Sequence, residues 1–64
     1  MTERLLKKAE VEQITSLSGT EIVRREKAGT FPKRVPISAK RVVWVASEIE
    51  AWIQAKIKTA RSSI

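Results

Sequence analysis

The sequence predicts an α+β fold: three short helices with a two-stranded β-hairpin between the second and the third, in one unit spanning residues 1–64. Three observations carry that expectation. Ser18 and Glu21 form the S-x-x-E signature of a helix start, and Gly29 followed by Pro32 closes the same helix. Two β-prone runs then flank Ser38-Ala39, and from Ser47 onward apolar residues recur every three to four positions.

Taken in order, Arg4 to Leu6 is short and apolar enough for a β-bridge or an extended lead-in. Val11 and Ile14 fall three apart among Glu10, Glu12 and Gln13, which predicts an amphipathic helix over Lys8 to Thr15. Thr15 and Ser16 bond readily to nearby backbone, so that helix ends there, and Leu17 anchors the turn. Ser18 caps the second helix, with Glu21 returning the bond to the Ser18 amide, and the helix runs to about Ala28. Two helices this close in sequence make a helix-turn-helix. In the second, Ile22 and Glu26 face inward, and Thr20, Arg24 and Lys27 share the opposite stripe. Val23 lies at the boundary, and Arg25 lies along the core edge with its stem packed and its guanidinium reaching out.

After Pro32 the runs Lys33 to Ile37 and Lys40 to Val45 form the hairpin, with Val35, Ile37, Val42 and Trp44 on the core-facing side and Pro36 pointing away on an edge strand. Ser47 and Glu50 repeat the capping signature. Ile49, Trp52, Ile53, Ile57 and Ala60 then mark one face of the last helix, which frays after Arg61. Glu48 and Glu50 near its start and Lys56, Lys58 and Arg61 near its end complement the helix dipole.

Composition narrows the function. A chain of 64 residues supports one modest core, burying roughly 60% of its unfolded surface. It contains neither Cys nor His, which removes disulfides, thiolate or imidazole metal sites and imidazole general bases, so no enzyme activity, metal or cofactor is expected. The longest apolar run, Val42 to Ala46, is far short of the ~20 residues a membrane span needs, and the start has no signal-peptide core, so the expected location is the cytoplasm. Charge gives the positive indication. Between Arg24 and Arg41 seven bases face one acid, Glu26, which accounts for the whole net charge of +6; the remaining six bases and six acids balance. A surplus confined to one helix and the hairpin after it is the footprint of a polyanion partner, and nucleic acid is the one expected.

The stretch RLLKKAEVEQITSLSGTEIVRREKAGTFPK followed by VVWVASEIEAWI resembles the AlpA-like prophage regulators, a branch of the MerR-type winged helix-turn-helix proteins that includes many excisionases. The resemblance covers about Arg4 to Lys56. It rests on Leu5-Leu6, the Leu17-Ser18 turn, Ile22 with Arg24, Gly29-x-Phe31-Pro32-Lys33, and Trp44 ahead of Ser47-Glu48-Ile49-Glu50-Ala51-Trp52-Ile53. The chain departs from the family pattern at Ser16, where Gly is usual, at Val23 and Arg25, where rings or large apolar residues are usual, at Ser38-Ala39, near which Gly is usual, and at Lys40, which replaces a wing Arg.

What the resemblance implies is a small winged helix-turn-helix protein of a prophage or integrated element. It would bind double-stranded DNA and either activate integrase transcription or act beside integrase in excision, so that integrase or RNA polymerase is the implied protein partner. The candidate residues follow. Arg24 and Thr20 reach base edges in the major groove, with Gly19 and Val23 completing the exposed part of the recognition helix; the alternative is a merely solvated face. Arg25, Lys27, Lys33 and Arg34 neutralise phosphates or are simple surface charge. Lys40 and Arg41 form a wing that reaches phosphate or a narrow minor groove.

Phe31, Trp44 and Trp52 are the only large rings available to centre a core, and periodicity turns Trp44 and Trp52 inward, so they are expected there rather than in a base-stacking platform, and Glu48 with Glu50 serves the helix start rather than acid-base chemistry. Lys56, Lys58 and Arg61 are read as solvated charge. So small a chain is expected to be a monomer in solution that assembles on tandem sites. The reading from another class is a protein-interaction module that docks through the last helix and shows no salt-dependent DNA binding.

Overall fold

In the computed structural model, which describes residues 3–62, the chain forms β1 (Leu5–Leu6), α1 (Lys8–Thr15), α2 (Gly19–Ala28), β2 (Val35–Ser38), β3 (Arg41–Val45) and α3 (Ala46–Ser62). The two residues at each end of the expected 1–64 unit lie outside the described part. Both predicted helices of the helix-turn-helix appear at the expected bounds. Lys7 has no acceptor atom with which to cap α1; instead the Glu10 carboxylate accepts the Lys7 amide at 2.9 Å. At the other end the Thr15 hydroxyl donates to the Val11 carbonyl at 2.7 Å and accepts the Leu17 amide at 3.3 Å. Ser16 then turns left-handed with φ 62°, which breaks the helix.

Ser18 Oγ accepts the Glu21 amide at 3.2 Å, as the S-x-x-E spacing requires, but the return bond of the expected box is absent. The Glu21 carboxylate is drawn instead to Arg24 at 2.8 Å and Arg25 at 3.2 Å, one turn along. Gly29, at φ 78°, ends α2: its amide bonds the Glu26 carbonyl, and the Thr30 amide bonds the Arg25 carbonyl. This is the paired closure that a left-handed glycine makes possible.

The sheet has three strands in the order β1-β3-β2, all antiparallel, so the expected two-stranded hairpin gains the lead-in strand as a third member. Leu5 pairs with Val45 and Leu6 with Trp44; on the other side Val35 pairs with Val43 and Pro36 with Val42. Directly paired residues share a face. Leu6, Trp44, Val42 and Pro36 therefore lie toward the helices, and Leu5, Val45, Val43 and Val35 lie on the outer face.

This corrects the expectation that Val35 and Ile37 join Val42 and Trp44 on the core side while Pro36 points away: Val35 is 38% and Ile37 53% exposed. The cause is a register shift between Pro36 and Ser38, which inserts Ile37 as an extra residue and moves the turn one position on, to Ala39-Lys40. A slip of one residue exchanges the two faces of a strand.

The start of α3 is also corrected. The helix begins at Ala46, directly on the end of β3, and not behind a Ser47 cap. The Ala46 amide donates to the Arg4 carbonyl at 2.8 Å, so the edge of the sheet satisfies a donor that a capping side chain would otherwise have to meet. Further along, Ile49 is buried and Trp52 and Ile53 lean on the core, but the predicted apolar face runs past the body of the protein: Ile57 is 39% exposed and Ala60 is exposed.

The core takes one large residue from nearly every segment: Leu6, Val11, Ile22, Phe31, Trp44 and Ile49. Ile14, predicted to share the buried face of α1 with Val11, stands about half exposed near the end of that helix.

Two polar ties fasten this core. The Glu26 carboxylate, only 10% exposed, accepts the Arg34 amide at 3.0 Å, the Arg34 guanidinium at 2.7 and 3.1 Å, and the Trp44 indole N–H at 3.1 Å. The Arg34 guanidinium also lies over the Trp44 ring, 5.3 Å from its centroid. In the second tie the Trp52 indole donates to the Thr30 carbonyl at 2.7 Å, and its ring meets Phe31 edge-on at 4.8 Å.

Two stability measurements test this account. Glu26→Ala strands the Trp44 N–H and the Arg34 guanidinium, and charge-assisted bonds of this kind are worth about 1.5–3 kcal/mol. Urea unfolding followed by tryptophan fluorescence is expected to show a loss of about 3 kcal/mol, and a smaller loss for Glu26→Gln, which retains an acceptor. Ser16→Gly relieves a left-handed conformation costing a side chain ~1–2 kcal/mol. After the ~0.4–1 kcal/mol that the more flexible unfolded chain takes back, the same measurement should show a net gain of about 0.5 kcal/mol.

Candidate nucleic-acid interface

Because Ile22 and Glu26 turn inward, helical geometry sends Thr20, Arg24 and Lys27 to solvent, and all three are exposed; Val23 is half-buried beside them. The start of α1 lies against the start of α2. A side chain at Gly19 would begin 2.9 Å from Lys8 Cε and 3.1 Å from the Glu12 carboxylate, so the missing Cβ is what lets the Lys8 stem lie across the first turn of α2. Lys8, Gly19, Thr20, Val23, Arg24 and Lys27 thereby line one shallow, open depression.

The predicted cations do not all stand in the same state. Arg24 pairs with Glu21 at 2.8 Å, but its side chain is 71% exposed. A surface pair of that kind is worth about 0–1 kcal/mol, so the guanidinium exchanges partners at little cost. Lys27, Lys33, Lys40 and Arg41 are exposed. Arg25 is more committed: its Nε bonds Glu21, and its guanidinium lies 5.9 Å from the Trp52 ring centroid. Arg34 is the most committed, gripped by Glu26 and stacked on Trp44. Of the ten residues expected to form the site, Gly19, Thr20, Val23, Arg24 and Lys27 come together in the depression on α2. Lys40 and Arg41 border a second depression, at the hairpin turn. Arg25 and Arg34 have internal work, tying α2 to α3 and to the hairpin.

Sequence reasoning passed over Lys7 and Lys8, counting them in the balanced remainder of the charge. They are consecutive, and each lines one of the two depressions: Lys8 the one on α2, Lys7 the one bordered by Lys40 and Arg41. Each basic group therefore gains one lysine from the start of α1. A signal was available, since both lysines stand at the N-terminal end of α1, where the helix dipole disfavours cations. Helix stability alone does not explain cations at that end.

The described residues contain no group of three or more Asp, Glu, Cys or His placed to hold a metal ion, and no helix among them is long and apolar enough to cross a membrane. What the exposed face can do is bind a polyanion. Flexible cations at its rim suit phosphate oxygens, and a helix with one face exposed has the width to enter a DNA major groove.

Residues 4–57 match the family described as Prophage CP4-57 regulatory protein (AlpA). The chain is also 36% identical over 55 residues to the uncharacterized protein ORF88 of Enterobacteria phage P4, an alignment covering 86% of this chain and 62% of that protein. The chain thus spans a little under two thirds of the length of this relative.

Proposed function

Since this chain belongs to the prophage regulatory protein (AlpA) family, we propose that it is a sequence-specific, double-stranded-DNA-binding regulator of a prophage or integrated element. In this reading α2 enters the major groove, where Arg24 makes a two-pronged contact with guanine and Thr20 meets a neighbouring base edge. Lys8, Lys27 and Lys33 take phosphates on either side, and Lys7, Lys40 and Arg41 follow the backbone toward the adjacent minor groove as a wing. Arg25 and Arg34 contribute by fixing the frame.

The observation that supports the reading is that exposed cations of α1, α2 and the hairpin turn line two open depressions, while Arg25 and Arg34, each paired with a glutamate, line neither. The protein acts without catalysis, in the cytoplasm, and controls integrase expression or excision. It meets integrase or RNA polymerase on the DNA and binds as a monomer that assembles where sites repeat. Protection of one promoter-proximal site in a footprint across the element's integrase promoter and attachment region supports transcriptional control. Clustered sites within the attachment region support excision.

Fluorescence anisotropy on duplex DNA over a range of salt tests the residue roles. Arg24→Ala should weaken binding to the preferred duplex by about 1–3 kcal/mol and flatten sequence preference. Lys33→Ala should weaken all duplexes alike and lower the salt slope by about one unit. Equal losses from Arg24→Ala on preferred and random DNA would contradict its base-reading role, and salt-independent, negligible binding by the unmodified chain would favour a protein-docking module.

A further inference from the structure

We propose that the depression on α2 reads the 5-methyl group of thymine, with Val23 as the residue that determines this specificity. The inference rests on the DNA-binding reading and adds to it a chemical preference. The depression is lined by Lys8, Gly19, Thr20, Val23, Arg24 and Lys27, and the surface it exposes is mostly apolar; these residues supply carbon from the Val23 side chain, the Thr20 methyl and the methylene stems of the three cations. Each of those three stems ends in a cation, and each residue is exposed. An apolar floor within a cationic rim is matched neither to phosphate alone nor to the donors and acceptors of base edges. The Lys8 and Lys27 ammonium groups of the rim suit phosphates and the Arg24 guanidinium a guanine edge, which would bring the duplex onto α2; the floor then needs an apolar group that projects into the major groove. Thymine supplies one there, its C5 methyl, and cytosine, adenine and guanine have none.

Placement along the helix agrees. Val23 lies in the second turn of α2, within the N-terminal part through which recognition helices contact bases. Gly19 contributes by omission, because a side chain there would displace the Lys8 stem that closes one wall. Val23 is half-buried, so it is held in place by its surroundings while still presenting a surface outward.

The test begins by enriching duplexes from a random pool on the full chain. In the enriched duplex each thymine is then replaced singly by deoxyuridine, which removes the methyl and leaves every hydrogen-bonding group. At one or two positions the unmodified protein should bind the deoxyuridine duplex about four-fold more weakly, the effect of withdrawing one methyl from contact. Val23→Ala should bind the two duplexes equally. Thr20→Ser, which removes the other methyl from the wall, should narrow the difference at the same position, with circular dichroism confirming that both variants remain folded.

Deoxyuridine duplexes that bind as tightly as the thymine forms at every position overturn the methyl reading and leave DNA binding intact. Discrimination that survives in both variants shows that the methyl is read elsewhere and overturns the assignment to this depression. An enriched site with no thymine overturns it as well, and failure to enrich any duplex, together with salt-independent binding, overturns both readings.

Discussion

The Glu26 carboxylate is the constraint on which the arrangement of this small protein depends. A carboxylate so nearly removed from water is tolerable only when its charge is answered, and here it is answered by the guanidinium and amide of Arg34 and by the indole of Trp44. The carboxylate and its two partners come from three places: α2, the segment leading into β2, and β3. The bonds are directional, so they fix more than proximity. They set how the hairpin stands against α2, and with it the spacing between the cations of α2 and those of the hairpin turn. Hydrophobic contacts among Ile22, Phe31 and Trp44 would hold the same elements together with less control of angle.

What the chain revealed of itself in advance was mostly local. Ser18, Gly29 and Pro32 bound α2 through interactions spanning only a few residues, and the same is true of Thr15 at the end of α1, so both helices could be placed from residue chemistry. The errors arose where distant segments decide. Whether Ala46 or Ser47 begins α3 depends on the Arg4 carbonyl, forty-two positions earlier in the chain. Which side of β2 faces inward depends on the extra residue at Ile37, and a simple alternation of apolar residues carries no mark of such a bulge. The helical repeat of the last segment was legible, but not how far the rest of the molecule would extend to cover it.

The candidate site divides in the same way. The outward stripe of α2 follows from the helical period, and the structure assembles it as expected. Arg25 and Arg34 look in the sequence like any other basic residues. Only the fold brings Trp52 and Trp44 beneath them and so gives both arginines a structural task as well. Lys7 and Lys8 show the reverse, since their neighbours Glu10 and Glu12 cancel them in a count of charge although the fold sets them beside the basic groups. Net charge over a window finds a surplus. It does not find which cations the fold gathers beside others, and here Glu10 accompanies Lys7 in its depression.

The junction between β3 and α3 has a mechanical consequence. Val45 is strand and Ala46 is helix, with no intervening residue to serve as a joint, and the first helical amide is pinned to the Arg4 carbonyl just ahead of β1. The helix is therefore a rigid outrigger of the sheet, about 25 Å long at 1.5 Å per residue. Because Ile49, Trp52 and Ile53 hold its first half on the core, a tilt of about 10° of the whole helix relative to that core would have to move these contacts while sweeping its far end through roughly 4 Å. The orientation of the far end around Ile57 and Arg61 is thereby fixed by two separate anchors, the strand junction and the Trp52 contacts.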